Sequence, residues 1–268
     1  MPAIQPCALL LLIGPDWQVE AASANVAMLG EVKPTAVIGR PLADLIGSKA
    51  IHTLRNRMSW LSSDESEVQD FDVLWGEVTL DLRAVRQENS YLIEAELAVE
   101  SRLPDAIGMI RSMSERLSGN DPGGLAEQAM RQLSALTGFD YLFLTDSQGA
   151  TVARAERSKI SPPEIVDDEL VRILADRDAE PVPMLGDKIG ELVARAAFLA
   201  PVEAERELLA GLGVASSMVF PLRIDGQWVG ALHALHPSPR RCGAERRSIA
   251  HLFAERLVAR MARLGWRP

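Results

Sequence analysis

The sequence predicts an α+β protein of two domains, each a central antiparallel sheet with flanking helices, the second ending in a long C-terminal helix. Three observations carry this reading. At 268 residues the chain accommodates two cores of ordinary size, since domains typically take roughly 100 to 150 residues. Val78, Leu80 and Leu82 alternate with Thr79, Asp81 and Arg83, the period of a strand with one dry and one wet face. Near the C-terminus, Ala250, Ala254, Leu257, Met261 and Leu264 recur at four-three spacing, the pattern of a helix with one apolar seam. Around Leu103 and Pro104 the pattern changes from strand to helix, which divides the chain into 1–102 and 103–268.

In the first domain, strands are predicted over 8–13 and 17–22, with Gly14, Pro15 and Asp16 supplying the turn. Short helical pieces follow over 24–29 and 41–46, the second opening on Pro41, a residue tolerated in the first helical turn. After Ser48, the spacing of Ile51, Leu54, Met58 and Leu61 predicts a helix with a sheet-packing face. Three more strands are expected over 68–75, 77–86 and 91–99.

The second domain opens with a helix marked by Ile107, Ile110, Met113 and Leu117. Residues 120–124 break it, and Leu125, Ala129, Leu133 and Leu136 build another that stops at Gly138. Strands over 141–145 and 150–156 come next, then a helix over 163–175, a proline-rich loop at Pro181, Val182 and Pro183, and a helix over 201–212. Asp225 and Gly226 join strands 215–224 and 228–235 in a hairpin, because this dipeptide suits the turn that matches strand twist. The closing helix is expected over 244–264.

Composition is that of a globular protein, 47% hydrophobic and 24% charged. The net charge of −9 repels phosphate backbones and argues against nucleic acid as a partner. The late arginines, among them Arg246, Arg256 and Arg263, read as a solvated helix face. Cys7 and Cys242 are far apart, which fits a reducing cytoplasm rather than a disulfide scaffold or zinc site. The apolar run 8–13 falls far short of the roughly 20 residues that span a bilayer. No glycine-rich phosphate loop and no nucleophile-base arrangement is found, so the chain reads as a non-enzyme.

Particular stretches then resemble the phytochrome photosensory module. In the first domain these are Ile4-Gln5-Pro6-Cys7-Ala8, Ala22-Ser23-Ala24-Asn25, Ile38-Gly39-Arg40-Pro41-Leu42 and Leu54-Arg55, in the element order of a PAS domain. In the second they are Leu136-Thr137-Gly138-Phe139-Asp140, Leu212-Gly213-Val214-Ala215-Ser216, Asp225-Gly226-Gln227-Trp228-Val229-Gly230 and His236-Pro237-Ser238-Pro239-Arg240, in the order of a phytochrome GAF domain. The resemblance implies a PAS-like domain over 1–102, a GAF-like domain over 103–268, and an ancestral tetrapyrrole pocket.

Positions that the family uses for its chromophore are changed. The family's Ile-Gln-Pro-His-Gly reads Cys7-Ala8 at its end, and only Met1, Pro2 and Ala3 precede Ile4, leaving no upstream cysteine to anchor biliverdin. The family's Pro-Ala-Ser-Asp-Ile-Pro stretch is replaced by the segment beginning Ser161-Pro162-Pro163. Its pocket histidine falls at Glu205, the alternative cysteine anchor at Ala204, and the chromophore-facing histidine of the last strand at Leu235. The candidate cofactor contacts that remain are Cys7, as a thiolate or redox-sensitive thiol, with His233 and His236, read as alternate positions on one strand face. Each also has a plainer role: a small buried cysteine and two structural histidines.

The expected function is a cytoplasmic phytochrome-like sensory or regulatory protein that carries no cofactor and acts through a protein partner. A homodimer is expected through Ala254, Leu257, Met261 and Leu264. The alternatives are a receptor holding biliverdin or haem without a covalent bond, and a tetrapyrrole-processing enzyme such as a haem-degrading protein.

Overall fold

The computed structural model describes residues 2–29, 33–60, 67–87, 89–98, 103, 105–160, 169–186 and 191–268. In chain order the first elements are β1 (Ala3–Ile4), β2 (Ala8–Ile13), β3 (Val19–Ser23), α1 (Ala43–Ile46), α2 (Ser48–Met58), β4 (Glu67–Trp75), β5 (Val78–Gln87) and β6 (Ser90–Leu97). There follow α3 (Ala106–Glu115), α4 (Pro122–Thr137), β7 (Tyr141–Asp146), β8 (Thr151–Glu156), β9 (Arg172–Leu174) and β10 (Val182–Leu185). The last are α5 (Glu203–Gly211), β11 (Ser216–Ile224), β12 (Gln227–His236) and α6 (Ala244–Arg263). The piece expected as a helix over 24–29 is a 3₁₀ turn. Among the described residues, no helix is long and apolar enough to cross a membrane.

Two units result, Met1–Val99 with Ala179–Ala200, and Glu100–Asp178 with Pro201–Pro268. In the first, β2 is buried at every position because both of its faces are covered. Leu9, Leu11 and Ile13 pack in a core with Ile51, Leu54 and Met58 of α2, the face that the spacing predicts. Leu10 and Leu12 point the other way, into a cluster with Val85, Leu92, Met184, Val193 and Ala196. The strand order is β1-β10-β3-β2-β6-β5-β4, with antiparallel neighbours throughout.

The division at 102/103 therefore needs one correction: the described part of 179–200 packs with the first unit. Of Pro181, Val182 and Pro183, expected as a loop, the last two open β10, which pairs with β1 on one side and β3 on the other. Residues 198–200 then return along the opposite edge of β1. Ile4 bridges Leu199, Gln5 N–H donates to Phe198 O at 2.9 Å, and Ala200 N–H donates to Ala3 O at 2.9 Å. A two-residue strand has little pairing of its own, so it is held by bonds to both neighbours. Glu94 fastens the same clasp, accepting from Phe198 N–H at 3.0 Å while pairing with the partly buried Arg83, which also binds Glu67 at 2.6 Å. Burial disfavours the charged guanidinium, but the two carboxylates outweigh it and raise the Arg83 pKa.

The second unit is built on a five-stranded sheet, β8-β7-β12-β11-β9. Asp105 and Asp121 cap α3 and α4 by accepting from Gly108 N–H and Gly124 N–H, which satisfies donors left open at a helix start. Helices α4 and α6 lie on one sheet face and α3 packs on α6. The expected helix over 163–175 is corrected in its described part: Arg172–Leu174 is strand β9, since pairing with the open edge of β11 satisfies its backbone groups. Residues 161–168, which hold the replaced chromophore stretch, lie outside the described residues.

The seam of α6 is also corrected. Ala254, Leu257 and Met261 are buried within their own unit, so they present no surface to a second chain; only Leu264, just past the helix end and 37% exposed, reaches solvent.

Candidate functional site

The sheet of the second unit has a second face, away from α4 and α6, and strand register places its side chains. Tyr141 pairs with Leu235, Phe143 with His233 and Thr145 with Ala231, so these six share one face. Leu174 of β9 joins it through Ser217 of β11. Over this surface Ile160, Leu209 and Val214 close a buried apolar cluster with Tyr141, Phe143, Leu174 and Leu235. Tyr141 and Phe143 meet edge to face with centroids 5.7 Å apart. Helix α5 contributes Leu209, its one buried residue, and turns Ala204 and Glu205 to solvent.

One histidine lies among them. His233 is 2% exposed, its ring stacked on Phe143 and its Nε2 3.2 Å from Thr145 Oγ1. Burial removes the water that would solvate an imidazolium, which lowers the His233 pKa to about 4 and keeps the ring neutral near pH 7. A neutral imidazole is the form that could ligate a metal or haem iron. Its Nε2 is already engaged by Thr145, and Phe143 covers one face of the ring.

His236 is not its companion. Three positions apart on a regular strand means opposite faces, and the expectation that the two histidines share a face is overturned by the two-residue period. His236 Nδ1 lies 2.9 Å from Ser238 O, its Nε2 lies 3.8 Å from Asp140, and its ring meets Phe139 edge-on, so it ties the strand end to its neighbouring loops. Cys7 belongs to the first unit, half-buried in the turn before β2. Among the described residues, no group of three or more His, Cys, Asp or Glu is placed to hold a metal ion.

Leu235, where the resemblance places a chromophore-facing histidine, thus lies in this buried apolar cluster. Tyr141, Phe143 and His233 can be read from the sequence once the register of β7 against β12 is known. Ile160 and Leu209 carry no such signal, because they arrive from other parts of the chain.

Residues 121–261 match the GAF domain family and residues 2–98 the PAS fold family. The chain belongs to the GAF domain family and is a phytochrome-like PAS–GAF module. Its fold is that of bacterial phytochrome fragments. The chromophore-binding domain of Stigmatella aurantiaca phytochrome P1 superposes with a TM-score of 0.77 at 20% identity, covering 96% of this chain and 95% of that one. The corresponding domain of an unusual bacteriophytochrome from R. palustris gives 0.75 at 18% identity, covering 98% and 95%. Against the longer photosensory core module of the Stigmatella protein, 97% of this chain covers 58% of that one. No curated protein matches the chain.

Proposed function

We propose that this PAS–GAF chain is a cytoplasmic regulatory module that acts by binding a protein partner, holds no covalently attached bilin and catalyses no reaction. The observation that supports it is the closure of Ile160, Leu174 and Leu209 over Tyr141, Phe143 and Leu235, which uses the inner face of the sheet for core packing. The solved relatives are named as chromophore-binding domains, which makes absorption spectroscopy the direct test. The purified protein is mixed with biliverdin and separately with haem, and spectra are taken before and after red light. Both pigments should keep the spectra of their free forms; a shifted band that switches with red light overturns the proposal.

One observation favours a second reading, a receptor holding biliverdin or haem non-covalently: His233 places a neutral imidazole on that same face. In that case a haem Soret shift is expected in the native protein and lost in His233→Leu. Conversion of bound haem to bilin on adding reductant and oxygen would instead indicate tetrapyrrole processing.

A further inference from the structure

A groove of about 650 Å³ runs along the helical side of the second unit, bounded by α3, α4 and the first turn of α6. It is separate from the sheet face above, because α4 and α6 cover the opposite face of that sheet. Its volume falls in the range of sites for small organic ligands, roughly 300 to 1,000 Å³.

Three features of its lining define a ligand. Met109, Met113 and Leu136 make an apolar wall, and no aromatic ring among the described residues lines the groove, so its apolar part suits a flexible aliphatic chain rather than a stacked planar ring. Arg116, Arg131 and Arg246 bring three guanidinium groups to the same groove. Arg246 donates to Leu136 O at 3.2 Å and Arg131 lies 4.0 Å from Glu127 in an exposed pair, which is weak, while Arg116 has no ion pair among the described residues. The forked donors of arginine match a carboxylate. The third feature is Gln132. Its Nε2 donates to Met113 O at 3.2 Å, tying α4 to α3, and its Oε1 is buried with no hydrogen-bond donor. A buried acceptor without a donor is unfavourable, and a ligand hydroxyl would relieve it.

We infer that this groove binds an aliphatic hydroxy acid, with its carboxylate on the arginines, its hydroxyl donating to Gln132 Oε1 and its tail against Met109 and Met113. Charge and shape in the groove favour this occupant over a bare anion, which would leave the methionine wall uncovered, and over a neutral lipid, which would leave the arginines unpaired.

The test uses the full chain with ¹³C-methyl methionine and 3-hydroxydecanoate as probe. Saturable shifts are expected at the Met109 and Met113 methyls and none at Met218, which is buried in the sheet. Binding should weaken at least about tenfold in the Arg116→Gln, Arg131→Gln double variant. These arginines are exposed, so the variant should fold normally, which its thermal melt checks. Decanoate, lacking the hydroxyl, should bind about tenfold less tightly and 1-decanol weakest of all, and decanoate binding as tightly as the probe overturns the inference. Unmoved Met109 and Met113 methyls overturn the inference. So does equal binding by decanol, which would mean non-specific adsorption. Displacement of the probe by inorganic phosphate at equal concentration would reduce the site to an anion patch and overturn it too.

Discussion

The imidazole of His233 lies nearly flat on the ring of Phe143, centroids 4.5 Å apart and planes 11° from parallel. The pair sits in cross-strand register on β12 and β7, so the stacking follows from the ladder itself. It also makes stability depend on pH. Burial lowers the His233 pKa from 6.5 to about 4, so the unfolded chain binds the extra proton first as pH falls. Stability from this group is complete above pH 6.5 and declines as pH drops toward 4, by roughly 3 kcal/mol in all. Denaturant unfolding at pH 7 and pH 4.5 should show a larger loss for the native protein than for His233→Leu. Equal losses would mean the ring is hydrated in the fold.

Helix α5 holds to the sheet through one buried side chain. Leu209→Ala removes that anchor from the cluster of Tyr141, Phe143 and Leu235. The expected cost is about 2–4 kcal/mol, and amide exchange across Glu203–Gly211 should rise well above that of β12. Unchanged protection of α5 would mean that its attachment lies elsewhere.

Glu94 serves two neighbours at once, Arg83 through one oxygen and Phe198 N–H through the other. Glu94→Gln keeps an acceptor for the amide but takes half of the countercharge from a largely enclosed guanidinium. A loss of about 2–4 kcal/mol is predicted, with faster proteolysis within Ala179–Ala200. A cut rate equal to that of the native chain would separate the clasp from the ion pair.

Two glycines with left-handed backbone should respond very differently to alanine. At Gly230, φ is +141° and a Cβ would sit 2.0 Å from Thr145 O, in the backbone of β7, whereas at Gly213, φ is +72° and the space is open. Gly230→Ala should prevent the second unit from folding, and Gly213→Ala should cost only about 1 kcal/mol. Thermal melts of the two variants decide this, and a stable Gly230→Ala protein would place β12 farther from β7.

Much of the fold was legible beforehand because its signals are local. The strand period over 78–83, the Asp225–Gly226 turn and the Gly138 stop of α4 each depend on neighbours within one turn or one hairpin. The errors share the opposite property. Arg172–Leu174 and Val182–Leu185 are too short to declare themselves, and each became a strand by completing the edge of a distant one. The seam of α6 misled for a related reason: four-three spacing marks an apolar face without saying whether the chain's own helices or a second copy will cover it.

The amino-acid pattern alone determined the family, most of the elements in their order and the leucine at position 235 of the last strand. Tertiary structure decided what that leucine does. A leucine is equally apolar lining a cavity or filling a core, and the difference lies in whether Ile160 and Leu209 come down upon it from other parts of the chain. It likewise decided that His233 and His236 part to opposite faces and that residues 198–200 close on β1, since pairing partners and burial belong to the assembled neighbours rather than to any one residue.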